Sequence, residues 1–224
     1  MVAVKPLVLV VDDDIALRDS LGFLIANAGW RVALFACATE FLASPRPPAS
    51  PSCLVLDVGL PDLNGLELQQ RIASERADMP IIFITGRGDI PMTVQAMRAG
   101  AVEFLTKPFA PAVLLREIQV ALERSRMYLE EEATLQALRA RHQGLSHRER
   151  EVMALVVRGL LNKQVSGELG ISEITVKQHR GRMMRKMRMR SLPELVTIAG
   201  RLGLVTAGQG LISTRLIAHT GFGA

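Results

Sequence analysis

The sequence predicts an α/β protein: a parallel five-stranded sheet covered by helices, then a long connecting helix, then an all-α domain of four helices. Three observations carry this. Over the first 109 residues, short apolar runs alternate with stretches of helical spacing, the pattern of a parallel sheet with both faces covered. From Pro111 onward, helical spacing continues alone. The charge is also divided: residues 1–125 hold 11 Lys and Arg against 14 Asp and Glu, whereas residues 126–224 hold 16 against 8. Such asymmetry points to a C-terminal half that meets a polyanion.

The first strand is predicted over residues 7–11, an apolar run too short for a helix, and residues 16–27 follow with Leu17, Leu21, Leu24 and Ile25 on one helical side. Ala28-Gly29 stops that helix. Residues 31–35 alternate like a strand, residues 38–43 form a short helix, and the proline-rich stretch 45–51 reads as a loop. Further strands are predicted at 53–57, 81–85 and 102–105, with helices at 66–75 and 92–99.

After Pro111, Leu115, Ile118, Leu122 and Leu129, with Ser125 between, step by three and four as in a coiled-coil seam. Two readings stay open for its first half, packing on the sheet or on a partner helix; Leu129, Leu135 and Leu138 favour a partner helix. Ser146 and Glu149 fit a capping box for a helix that Gly159 ends. A helix over 162–169 ends at Gly170, Ser172 caps another over 173–188, and a last one covers 192–202. Two helices joined by the tight Gly170-Ile171-Ser172 turn describe a helix-turn-helix. The second carries Lys177, His179, Arg180, Arg182, Arg185 and Lys186, and holds the position of a recognition helix for the major groove. The expected division is 1–124, a linker helix 125–143, 144–205, and a tail 206–224 that matches nothing usable.

A chain of 224 residues with 49% hydrophobic content can fill two modest cores. Apolar runs break well short of the ~20 residues of a membrane span, and Asp12 follows the N-terminus too closely for a secretory leader. A cytoplasmic protein without membrane contact is expected. Cys37 and Cys53 lack metal-ligand spacing and are both expected to be buried thiols.

The chemistry lies at the strand ends. Asp12, Asp13 and Asp14 follow the first strand, Asp57 ends the third, Thr85 the fourth, and Lys107 comes after the fifth. Carboxyl ends of strands in an open parallel sheet converge on one crevice. Clustered carboxylates with one lysine suit a hard divalent cation and a phosphoryl group. Asp14 reads as a helix N-cap or first-turn acid rather than a ligand.

The strings Val10-Val11-Asp12-Asp13-Asp14, Asp57 with Leu60-Pro61 and Gly65, Thr85-Gly86, and Lys107-Pro108-Phe109 resemble the receiver domain of two-component response regulators. Leu145-Ser146-His147-Arg148-Glu149-Arg150-Glu151-Val152, Asn162-Lys163-Gln164, and Thr175-Val176-Lys177-Gln178-His179 resemble the LuxR-type helix-turn-helix. Together they resemble the NarL/FixJ family, and Gly88-Asp89-Ile90-Pro91-Met92 leans toward its FixJ branch. The resemblance implies a flavodoxin-like (βα)5 receiver. Asp57 would accept a phosphoryl group from a sensor histidine kinase. Mg²⁺ would be held by Asp12, Asp13, Asp57 and the Gly59 carbonyl, and Lys107 would pair with a phosphoryl oxygen. Thr85 and Phe104 would form the switch, and Lys107-Pro108 would be cis. A second copy, double-stranded promoter DNA and RNA polymerase would be partners. Lys177 and Gln178 are expected to read bases, and Asn162, Lys163, Thr175 and Arg182 to contact phosphates. The family consists of regulators rather than enzymes, most simply activators of transcription.

This sequence departs from the family pattern at Leu60, where methionine is common, and at Gly181, which interrupts the recognition helix at a position where some relatives carry a base-contacting side chain. Two other readings compete. Asp12-x-Asp14, Thr85 and Lys107 also mimic haloacid-dehalogenase-type phosphatases, but that reading leaves Asp57 idle. Alternatively, the receiver could be a fixed dimerisation module indifferent to phosphate.

Overall fold

The computed structural model describes residues 5–45, 50–86 and 90–204. Gly88 and Asp89 of the FixJ-like motif and the tail 206–224 lie outside the described residues. The chain divides into two compact units, Met1–Glu132 and Ala133–Ala224.

In the first unit, β1 (Leu7–Val11), β2 (Arg31–Phe35), β3 (Ser52–Asp57), β4 (Ile81–Thr85) and β5 (Glu103–Thr106) form one sheet. The order is β2-β1-β3-β4-β5 and every pairing is parallel. Helices α1 (Ile15–Asn27), α2 (Ala38–Ala43), α3 (Gly65–Ile72), α4 (Ile90–Arg98) and α5 (Pro111–Gln143) complete it. Because β1, β3 and β4 are buried along their whole length, they need the near-continuous apolar runs seen in the sequence. Their side chains alternate between two cores. Leu9, Val11, Leu54, Leu56 and Phe83 meet Leu66 and Leu68 of α3, whereas Val8, Val10, Val55, Ile82 and Ile84 meet Ile25 of α1 and Leu114, Ile118 and Ala121 of α5.

The chain reverses its direction of travel between β2 and β3, so the crevice at the C-terminal ends of β1 and β3 is the topological switch point where ligands bind in such sheets.

Several expectations are corrected. The fifth strand begins at Glu103 rather than 102, and α4 begins at Ile90 rather than 92. Helix α3 ends at Ile72, short of the expected 75. Leu114, with Ile118 and Ala121, is fully buried in α5 against the sheet, whereas Leu115 is only half-buried. Ser125 is not part of a seam: its buried hydroxyl accepts from Ser52 N (3.0 Å) and donates to the Asp78 carbonyl. Cys53 is buried, which pushes its thiol pKa up, but Cys37 is only half-buried.

Gly65 is forced by a close approach. A Cβ there would lie 2.5 Å from the Asp57 carbonyl oxygen and 3.0 Å from Val58 Cα, and both are backbone atoms. Gly65→Ala should therefore lower unfolding stability by about 1–3 kcal/mol, the usual cost of overpacking a filled site. Denaturant unfolding checks this, and an unchanged midpoint would mean that the loop yields freely.

The second unit holds the C-terminal part of α5 and then α6 (His147–Val157), α7 (Asn162–Leu169), α8 (Glu173–Met187) and α9 (Leu192–Arg201). Val152, Met153, Val156, Val165, Val176, Met183, Met187 and Leu195 form its core. Ser146 and Glu149 make the expected capping box: Ser146 Oγ accepts from Glu149 N (3.3 Å) and Glu149 Oε2 accepts from Ser146 N (2.8 Å). Gly170 ends α7 at φ 63°, and Ser172 Oγ accepts from Thr175 N (3.1 Å) to start α8. Glu149 Oε2 also lies 2.6 Å from Lys186 Nζ, tying α6 to α8.

Burial is the largest single influence on Glu149 and raises its pKa. The hydrogen bonds from Lys186 and Ser146 together outweigh it, so the carboxyl titrates below its ordinary value. The depressed folded-state pKa contributes stability above the unfolded value, and this is lost as pH falls through the folded one. Stability of the second unit should thus drop on acidification below the ordinary glutamate range. In Glu149→Gln that part of the pH dependence should flatten in thermal unfolding, and an unaltered acid limb would remove the pair from the account.

Candidate functional site

The residues predicted at the strand ends converge. Asp12 is fully buried after β1, Asp57 is buried at the end of β3, Thr85 is buried at the end of β4, and Asp13 is exposed at the rim. Oxygens of Asp12, Asp13 and Asp57 all lie within 4.8 Å of one another. Lys107, after β5, places Nζ 2.7 Å from Asp12 Oδ2 and 2.6 Å from Asp57 Oδ2. It reaches them because its backbone amide donates to the Thr85 carbonyl (2.7 Å), continuing the β4–β5 ladder one residue past the paired strands. The Lys107-Pro108 peptide is cis.

Burial is the largest influence on Asp12 and raises its pKa against the opposing hydrogen bonds from Lys107 and the Asp14 amide. For Lys107, burial alone would favour losing the proton. The hydrogen bonds and charges of Asp12 and Asp57 reverse this, and the ammonium holds its proton more tightly than an ordinary lysine. The arrangement offers hard oxygen donors beside a fixed cation, a setting suited to phosphoryl chemistry.

Asp14 caps α1, accepting from Ala16 N (2.9 Å) and Leu17 N (3.1 Å). The Gly59 amide donates to Asp57 Oδ1 (3.0 Å), which turns the loop after β3 back over the carboxylate. Phe104 is half-buried, its ring 6.1 Å from that of Phe83.

Two participants escape sequence reasoning. Arg18 donates to the Asp12 carbonyl at 2.6 Å. The Asp62 carboxylate accepts from Thr39 Oγ1 (2.6 Å), Thr39 N (2.8 Å) and Ala38 N (3.2 Å), which holds its pKa well below the usual carboxylate range. Cys37, the local N-cap of α2, makes no side-chain cap bond, so an acid 23 residues downstream of Thr39 caps the helix instead. The missing local cap was the only signal.

In the second unit, Lys177, Gln178 and Arg182 are exposed on α8, Lys163 is exposed on α7, and Thr175 is half-buried with its hydroxyl 2.8 Å from Ser172 Oγ. The basic face is narrower than the sequence suggested. Arg180 turns to Asn162 Oδ1 (3.1 Å) and Lys186 to Glu149, because both lie toward neighbouring helices.

Residues 8–119 match the family described as "Response regulator receiver domain", and residues 143–199 match "Bacterial regulatory proteins, luxR family". Nodulation protein W of Bradyrhizobium diazoefficiens is 50% identical over 200 residues, 89% of this chain and 88% of that protein. Transcriptional regulatory protein FixJ of the same organism is 42% identical over 198 residues, 88% of this chain and 96% of that one. The structure of response regulator StyR superposes with a TM-score of 0.77 at 45% identity, covering 88% of this chain and all of StyR (100%). A sheet of this order with an acidic switch-point site, followed by a helix-turn-helix, defines a receiver joined to a DNA-binding module. The chain belongs to the two-component response regulators of the FixJ type, with a LuxR-type DNA-binding domain.

The phosphatase reading does not fit, because Asp57 shares the Lys107 ammonium with Asp12 instead of standing idle. Among the described residues, no helix is long and apolar enough to cross a membrane.

Proposed function

We propose that Asp57 is the phosphoacceptor of a cytoplasmic sensor-kinase pathway and that its phosphorylation pairs two copies of the chain on promoter DNA. The observation that carries this is the Lys107 ammonium held between Asp12 and Asp57 at the switch point. A carboxylate oxygen of Asp57 attacks the phosphorus of the kinase's phosphohistidine; the new O–P bond forms as the P–N bond breaks, and the imidazole leaves. Lys107 then has a phosphoryl oxygen to pair with, and the Thr85 hydroxyl is the group on β4 that answers it.

The donor set fits Mg²⁺: the carboxylates of Asp12, Asp13 and Asp57 offer only hard oxygens, and the Gly59 carbonyl lies on the loop tied to Asp57 Oδ1. When bound, the ion would neutralise charge on the transferring phosphoryl oxygens. Asp13 is exposed, so Asp13→Asn should leave the fold intact yet weaken Mg²⁺ binding by at least about 10-fold, since disturbing even a group that only supports a metal ligand costs about 10- to 100-fold. Titration calorimetry measures it, and equal affinity would exclude Asp13 as a ligand.

On this reading, residues 1–124 act as the receiver, 125–143 as the linker and 144–205 as the DNA-binding domain. Phosphorylation repacks Thr85 and Phe104 and favours pairing through the face at about residues 91–123. Two recognition helices then meet two half-sites, Lys177 and Gln178 reading bases, and Lys163, Thr175 and Arg182 contacting phosphates, with α9 joining the copies. RNA polymerase is the downstream partner of the activated dimer.

Light scattering and DNA binding with and without Mg²⁺ and beryllofluoride, a phosphoryl mimic, test the switch. The wild-type chain should pass from monomer to dimer and bind more tightly. In Asp57→Asn both responses should vanish, and stimulation that survived this substitution would overturn the mechanism.

A further inference from the structure

Helix α8 presents an unexpected group on its outer side. Val176, Met183 and Met187 point into the core, and at about 100° per residue Ile174, Gln178, Gly181 and Arg185 fall on the opposite side, flanked by Lys177 and Arg182. Ile174 is 69% exposed in the first turn of the helix. A single exposed apolar residue is ordinary on a protein surface. This one occupies the middle of the face that a recognition helix turns toward the bases, between cationic flanks.

We infer that Ile174 reads the 5-methyl group of a thymine in the major groove, an assignment that rests on the DNA-binding reading of α8. Among the base pairs, only those with thymine display an apolar group in that groove, and the N-terminal residues of a recognition helix are those that reach base edges. The neighbours fit the same occupant. Gln178, one turn further, can hydrogen-bond an adjacent adenine in two places. At Gly181 an added Cβ would meet only Arg185 Nη1, at 4.0 Å, so the bare backbone lets the helix settle closer to the groove. Lys177 and Arg182, exposed on either side of this face, are cations suited to the polyanion around it. One isoleucine beside Gln178 and Gly181 offers too little apolar area to insert into a lipid surface.

Gly181 therefore changes meaning. Its missing side chain removes one possible base contact and shifts discrimination toward the first two turns of α8, where Ile174 and Gln178 lie.

The test uses the full-length chain with Mg²⁺ and beryllofluoride. Duplexes are first enriched from a randomised pool, and each thymine of the enriched site is then replaced in turn by deoxyuridine, which removes only the methyl group. One thymine per half-site should show about fourfold weaker binding on replacement, the factor expected for one buried methyl-sized group. In Ile174→Ala, whose side chain is too short to reach the same methyl group, the thymine-over-uracil preference should vanish, so that the two duplexes bind alike. Ile174→Val should retain part of the preference. Methyl-indifferent binding, or a preference that persists in Ile174→Ala, overturns the assignment and leaves DNA binding intact. Failure to enrich any sequence overturns both.

Discussion

The Lys107 ammonium lies 2.7 Å from Asp12 Oδ2 and 2.6 Å from Asp57 Oδ2, and through these contacts the ends of β1 and β3 and the segment after β5 are held around one point. Two carboxylates with little access to water would otherwise repel, and one would protonate or withdraw. Three carboxylates against one ammonium still leave a formal excess of two negative charges, the charge of one divalent cation. Phosphorylation would replace one carboxylate charge with a phosphoryl group carrying about two, so the balance around Lys107 cannot survive it unchanged. Because the Lys107 amide is bonded to the Thr85 carbonyl, a change at the ammonium would reach the end of β4 through one residue. On the proposed mechanism, a local charge event would thus act on the end of β4, the general form of a phosphorylation switch.

Precision at Asp57 comes from the backbone around it. Gly65 starts α3 so close to the Asp57 carbonyl that no side chain fits, and its amide donates to the Val58 carbonyl (3.0 Å). Asp62, in the same loop, caps α2 through Thr39 and Ala38. The loop that carries Gly59 is consequently fixed at both sides, to α3 by a close approach and to α2 by hydrogen bonds. A site that must bring carboxylate oxygens within a few ångströms benefits from such support, since small displacements cost heavily in orientation.

Legibility in the sequence followed the range of the interaction. Strand-end placement was readable because buried parallel strands are continuous apolar runs, and each run terminates in a polar residue that has to go to the crevice. The helix caps at Ser146 and Ser172 were readable because their partners lie three residues away. The phase of α5 was not: Val113, Leu114 and Leu115 are consecutive apolar residues, and only the sheet decides that Leu114 faces it. Ser125 looked like a step in a seam because its partners, Ser52 and Asp78, are distant in sequence. Asp62, Arg180 and Lys186 share that property: each finds its partner through tertiary structure, so local pattern assigned two of them to the basic face of a recognition helix and overlooked the third.

The division of labour on α8 has a consequence for the whole chain. With Arg180 and Lys186 turned to protein partners, the exposed cations left on the helix are chiefly Lys177, Arg182 and Arg185. Few phosphate contacts would give one head modest affinity, and a face of isoleucine, glutamine and glycine would give it a short reading frame. One head alone would then discriminate poorly among competing sites. Joining two heads makes the second contact intramolecular, so affinity and site length rise together without any new protein–DNA chemistry. On the proposed mechanism, a weak head would be what allows phosphorylation at Asp57 to control occupancy, because a head that bound tightly by itself would leave the receiver nothing to decide.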